Sequence, residues 1–209
     1  MMQQGSLEWF EARLGKVTAS RIGDLATRTR TGWAASRAAY LNQLVGERLT
    51  GVSADAYVSP AMQWGIEHEA EARRAYQFRQ DVEVSEVGFI EHPLLSMSGA
   101  SPDGYVVADG LVEIKCPNTA THIGCLIDNA VPDRHQLQML RQLACTGRNW
   151  CDYVSYDPRL PEALRLWVQR VDRDDTRVGE LEAMVAEFLE EVDAISRFLH
   201  QRYQQRRVA

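Results

Sequence analysis

At 209 residues and 45% hydrophobic composition the chain is long enough to bury a substantial core, and one domain spanning residues 1–209 is the expectation. Its formal net charge is −6, so any attraction for a polyanion must come from local cations rather than from the whole field. No apolar run resembles a signal peptide or is long enough to span a bilayer, and Cys116, Cys125, Cys145 and Cys151 include no Cys-x-x-Cys pair, so a cytoplasmic protein with free thiols is expected.

In chain order, seven basic residues between Ala12 and Arg48 (Arg13, Lys16, Arg21, Arg28, Arg30, Arg37 and Arg48) face only Asp24 and Glu47. That local excess marks the amino-terminal third as the phosphate-facing part, unless it is simply a solvated helix face. Helical spacing of Leu41, Leu44, Val45 and Leu49 predicts an amphipathic helix, and Ala61–Phe78 predicts another. Strands are expected near residues 82–90, 97–100, 105–108 and 111–116, then a helix over 134–144 and strands near 150–156 and 164–171. This order implies an α/β or α+β fold with a mixed central sheet flanked by helices. Val178, Leu181, Val185, Phe188, Val192, Ile195 and Leu199 form an a/d seam, expected to pack on the chain's own sheet rather than in an intersubunit coiled coil. Arg202, Arg206 and Arg207 would follow as a basic tail. Asp174 to Ala194 carries eight acids against Arg177 alone and would point away from a polyanion.

The stretch from Ser101 to Pro117, SPDGYVVADGLVEIKCP, carries the chemistry. Alternation along a strand puts Glu113 and Lys115 on one face and turns Ile114 into the core. Asp109-Gly110 predicts a two-residue hairpin turn that would return Asp103 beside Glu113. Two adjacent carboxylates suit Mg²⁺ or Mn²⁺ rather than a soft metal, and an ammonium beside them can orient a water or offset charge growing on a phosphorus centre. On the helix of residues 61–78, Glu69 aligns with Gly65, Ala72 and Tyr76 and is the inward carboxylate, whereas Glu67 and Glu71 lie on the polar stripe. A buried acid needs a metal or a basic partner.

SPDG followed by EIKCP resembles the PD-(D/E)XK nuclease superfamily, and within it the phage lambda exonuclease family of viral recombination nucleases. WFEARLG with TAS at residues 18–20, QWGIEHE at 63–69, HQLQ at 135–138 and YDPR at 156–159 resemble further motifs of that family in the same order. Residues 26–35 and those beyond Asp172 show no such match. The resemblance implies a restriction-endonuclease-like core and Asp103, Glu113, the Ile114 carbonyl and Glu69 around two metal ions. It also implies Lys115 on the attacking water and Gln136 in the active site, with Gln138 close enough to leave the register open. Arg13, Ser20 and Ser101 would grip a terminal 5′-phosphate, which suits a planar guanidinium and two hydroxyl donors.

By the same resemblance the chain would degrade one strand of duplex DNA 5′ to 3′ from an end, as a ring-shaped trimer, and leave a 3′ single strand for an annealing protein in a bacterial or phage-infected cell. The residues by themselves reach metal-dependent phosphodiester hydrolysis. A site-specific endonuclease with the same site and a non-catalytic module that holds DNA ends are the alternatives. The four cysteines also leave an iron–sulfur cluster as a minor reading, which a brown protein would reveal.

Overall fold

The computed structural model of the chain describes residues 2–54 and 59–204. Helix α1, Leu7–Arg13, begins at Ser6, whose hydroxyl accepts from the Trp9 amide, and leads into strand β1, Val17–Thr18. Helix α2, Ile22–Ala26, and a small hairpin of β2, Arg28–Thr29, with β3, Gly32–Trp33, precede α3, Ala35–Thr50. Helix α4, Pro60–Gln80, opens on a Ser59 cap with proline at its first turn, where a missing N–H costs nothing. Strands β4, Val84–Ser85, β5, Ile90–Glu91, β6, Ser98–Ala100, β7, Gly104–Val106, and β8, Gly110–Lys115, follow. Helices α5, Thr119–Asp128, and α6, Asp133–Thr146, lie before β9, Trp150–Tyr156, β10, Leu166–Asp172, and the long helix α7, Asp175–Gln204.

The main sheet runs β10-β9-β8-β7-β4, with β8 and β9 parallel and the other neighbours antiparallel. A second sheet runs β1-β6-β5. The mixed α/β architecture is the expected one. On β8 the alternation separates two cores: Val112 and Ile114 pack with Ala72 and Tyr76 of α4, while Leu111 packs with Met139 and Leu143 of α6. Glu113 and Lys115 share the parity of Leu111, so the polar pair emerges at the end of an apolar strand face. No helix among the described residues is long and apolar enough to cross a membrane.

Three expectations are corrected. The hairpin is closed by Val107, Ala108 and Asp109 rather than by Asp109-Gly110, with Gly110 already in β8 opposite Val106. Gly110 is required by packing instead: a Cβ there would meet the Trp150 ring at 2.1 Å. The positive φ of the loop, 43°, falls on Val107, a β-branched residue for which that region is costly. Arg148 braces it, donating from Nη1 to the carbonyls of Val107 at 3.2 Å and Gly110 at 2.8 Å while its guanidinium lies 3.8 Å from the Tyr105 ring.

Helix α7 packs on other helices of the chain rather than on the sheet. Val178, Leu181, Val185, Phe188 and Val192 join Tyr40 and Leu44 of α3 and Leu140 of α6 in one core. Two of the eight acids, Glu191 and Asp193, also turn towards the basic stretch rather than away from it. Arg37 binds Glu191 through both outer nitrogens, at 2.9 and 2.6 Å, and Arg48 pairs with Asp193. Arg202 belongs to α7, and Arg206 and Arg207 lie outside the described residues.

Candidate active site

Glu113 is 1% exposed, and an ionised carboxylate there must be compensated on every oxygen. Lys115 ion-pairs with its Oε1, Gln138 Nε2 donates to Oε1 at 2.6 Å and Gln142 Nε2 donates to Oε2 at 2.5 Å. Both amides come from α6, one turn apart, so the helix meets β8 through a polar clamp inside the protein. Bonds of this kind are charge-assisted and stronger than neutral ones.

Asp103 stands across the hairpin. Its backbone N–H donates to Val112 O at 3.1 Å, and its Oδ2 accepts the Ile114 N–H at 2.6 Å. Burial raises its pKa well above the ordinary carboxylate range, and the charges of Glu113 and Glu69 raise it further, while Lys115 opposes them. Glu69 is held by Arg73, which also reaches Glu86. Its pKa is raised by burial, against the pull of Arg73, and Glu113 again adds to the rise. Lys115 is pulled both ways: burial lowers its pKa, but Glu113 and Asp103 more than offset that and leave it raised.

Asp103, Glu69, Glu113 and Lys115 are thus brought within one electrostatic neighbourhood at the end of β8. All donors of the three acids are hard oxygens, which suits Mg²⁺ or Mn²⁺, and their mutual repulsion is what a divalent ion would relieve. Among the described residues no three His, Cys, Asp or Glu side chains are arranged to hold an ion; Lys115 and the two glutamines hold both oxygens of Glu113, the Ile114 amide holds Asp103 Oδ2 and Arg73 holds Glu69 Oε1. The four cysteines are buried and free.

Gln136 lies elsewhere: its Nε2 donates to the Val131 carbonyl at 2.8 Å, at the entry to α6. The register that reaches Glu113 is that of Gln138, with Gln142 as a residue that motif reading missed. Its signal was the i,i+4 spacing from Gln138 on α6. Of the residues expected at a 5′-phosphate, Arg13 and Ser101 are joined through Trp9. The Arg13 guanidinium lies 4.0 Å from the Trp9 ring, and Trp9 Nε1 donates to Ser101 Oγ at 2.9 Å. Parallel pairing of β1 with β6 aligns Thr18 with Gly99, which sets Ser20 and Ser101 just beyond adjoining strand ends. Ser20 is exposed, its Oγ 3.3 Å from Thr18 Oγ1.

Comparison with known proteins bears on what this arrangement serves. The model of the YqaJ-like viral recombinase domain matches residues 8–149, from α1 through the loop before β9. The chain belongs to the YqaJ-like viral recombinase family. Among solved structures, this family member is similar to an alkaline exonuclease (LHK-Exo) from Laribacter hongkongensis, at 45% identity and a TM-score of 0.90 over 96% of this chain and 99% of that one. The same protein in complex with dAMP matches with a TM-score of 0.91. A phage related exonuclease from Haemophilus somnus 129PT, 14% identical, has a TM-score of 0.72 over 88% of this chain and 96% of that one, and shows the shared fold. No curated protein matches the chain. As a YqaJ-like recombinase with that alkaline exonuclease as a relative, the chain is a DNA exonuclease, a hydrolytic DNA-degrading enzyme. A non-catalytic end-binding module is thereby set aside.

Proposed function

We propose that this exonuclease is Mg²⁺-dependent, with Mn²⁺ able to substitute, and that it degrades one strand of linear duplex DNA 5′ to 3′ from a 5′-phosphorylated end. The observation that carries this reading is the grouping of Asp103, Glu69 and Glu113 around Lys115, an excess of negative charge that reaches from the buried Glu113 to the partly exposed Glu69. Asp103, Glu113, the Ile114 carbonyl and Glu69 would hold the metal, two ions in all. When bound, divalent cations would neutralise the carboxylates and make a water more acidic.

The protein's own groups do the rest. Lys115 would orient the attacking water towards the phosphorus and offset the negative charge that builds on its oxygens. Gln138 and Gln142 would keep Glu113 from turning as that charge moves. Arg13, Ser20 and Ser101 would bind the terminal 5′-phosphate as charged fork and hydroxyl donors, which selects an end and fixes the polarity of digestion. The relative's complex with dAMP, a deoxynucleoside monophosphate, supports release of mononucleotides here.

A chain of this length would encircle a duplex only by association, so a homotrimeric ring with a head-to-tail interface is part of the proposal, as is a partner that anneals the 3′ strand left behind. Digestion of linear duplex labelled at either end, with Mg²⁺ and with chelator, tests the reading. Label should be lost first from the 5′ end and only with metal; loss from the 3′ end, or full activity in chelator, would refute it. Light scattering should give a mass near three times 23.6 kDa.

A further inference from the structure

Glu69 is held by one oxygen only. Its Oε1 accepts from Arg73 Nη2, and no described group donates to its Oε2. What keeps Arg73 from taking both oxygens is a second partner, since its Nη1 donates to Oε1 of Glu86. The Arg73 guanidinium is largely buried and its Nε has no partner, so its two outer amino groups carry its bonds and each goes to a different carboxylate. Glu86 is exposed and lies just beyond β4. Antiparallel pairing sets Ser85 opposite Tyr105, which brings Glu86 out beside Gly104, the neighbour of Asp103. The edge strand hugs β7 there: a Cβ on Gly104 would meet Val84 Cγ1 at 2.2 Å. Arg73 comes from α4, one turn beyond Glu69, on the helix whose Ala72 and Tyr76 pack against Val112 and Ile114 of β8. Edge strand and helix thus meet at one guanidinium beside the hairpin that carries Asp103.

We propose that Glu86 is a positioning residue of the metal site: by occupying Arg73 Nη1 it limits the guanidinium to one oxygen of Glu69 and leaves the other for a divalent cation. The proposal rests on the metal-dependent reading of the same site. A guanidinium facing a single carboxylate settles on both of its oxygens as a two-pronged fork, and that geometry would withdraw Glu69 from an ion. With Glu86 in place the fork is split between two acids, and Glu69 is oriented without being neutralised on both sides. Carboxylates that ligate ions are held in this way by hydrogen bonds from the surrounding side chains, and removing such a bond costs about 10–100-fold in affinity. Glu86 acts one contact further out, through Arg73, so its loss belongs at the lower end of that range. Its own pull on an ion is screened by solvent, which leaves the Arg73 contact as its route to the site.

Binding of Mn²⁺ to the DNA-free protein, followed by loss of the free-ion electron paramagnetic resonance signal, reads the site without turnover. Glu86→Ala should weaken Mn²⁺ binding about tenfold. Glu86→Gln keeps an oxygen that accepts from Nη1 and should bind within about threefold of wild type, although it too lacks the charge. A field effect of the missing charge would weaken both variants alike, and a role confined to stability would move neither. Arg73→Lys, whose single ammonium cannot fork across a carboxylate, should erase the effect, so that adding Glu86→Ala to it changes binding by less than about twofold. In digestion of 5′-phosphorylated linear duplex, the Mg²⁺ concentration for half-maximal rate should shift by the same factors. Equal constants for the Ala and Gln variants, or a loss that persists undiminished on Arg73→Lys, would overturn the proposal. Because Glu86 is exposed, the comparison of Ala with Gln stands even where Arg73→Lys destabilises the fold. A wild-type protein that binds no Mn²⁺ and digests DNA in chelator would overturn the metal reading instead; failure of the proposal alone leaves wild-type binding intact, so the two are distinct.

Discussion

Gln142 gives the sharpest test of how the active site is held. It is fully buried, its Nε2 donates at 2.5 Å to Glu113 Oε2, and its own oxygen lies 3.9 Å from Cys151 Sγ. Gln142→Leu keeps the length and most of the volume but leaves one oxygen of a carboxylate that is 1% exposed without a donor. A hydrogen bond to a charged group contributes about 1.5–3 kcal/mol, and no water can reach the orphaned oxygen to replace it. For a chain of this size 1 kcal/mol shifts Tm by about 2–4 °C, so a loss near 2 kcal/mol should lower Tm by about 4–8 °C. Thermal melts beside denaturant titrations with an unchanged m-value would measure it. Gln142→Glu should be worse at neutral pH, because it sets two carboxylates in contact, and should recover as acid protonates one of them. A Gln142→Leu protein that melts within about 1 °C of wild type would refute the claim that this bond offsets the burial of Glu113.

Lys115→Ala should abolish cleavage while DNA binding survives, since the lost group acts mainly on the transition state; cleavage within tenfold of wild type would exclude the role. A 5′-phosphorylated duplex should be digested faster than a 5′-hydroxyl one, and Arg13→Ala should erase the difference, which end-labelled time courses would show. Stability should fall as pH drops from about 6.5 towards about 3, because the unfolded chain takes up a proton at His135 that the folded protein refuses; His135→Asn should flatten that slope in denaturant melts.

The strand that carries Glu113 and Lys115 was legible because its rule is local. A period of two places Glu113 beside Lys115 whatever the rest of the fold does, and the approach of Asp103 needs only a hairpin, so an error in turn type left it intact. Glu69 was legible for the same reason, from its register with Ala72 and Tyr76 on one helix. Gln142 was not, because helix glutamines are usually solvated and its partner lies 29 residues away in sequence. Gln138, Arg141 and Gln142 are polar residues at helical spacing, yet all three are buried. Helix α5 also escaped, since TATHIGCLID has no clear apolar period; its start is marked only by Asn118, whose Oδ1 accepts from Thr121 N at 2.9 Å.

Charge blocks read along one dimension cannot say which block faces which, and here they face each other. Of the seven cations between Ala12 and Arg48, Lys16 pairs with Glu91, Arg21 with Asp24, Arg37 with Glu191 and Arg48 with Asp193. Their fields are largely spent inside the chain, and Arg37 and Arg48 tie α3 to α7. Arg28 and Arg30 on the β2-β3 hairpin are exposed with no described carboxylate against them, as is Arg134 at the start of α6. Duplex binding through these three and Arg13 at the terminal phosphate should give a slope of log affinity against log salt near −4 per engaged subunit, whereas all seven amino-terminal cations would give about −6. The Lys115→Ala protein allows the measurement at equilibrium without digestion. A slope of −6 or steeper for one subunit would mean that the α3 to α7 ion pairs open on DNA, and the internal pairing would then be a feature of the free protein alone.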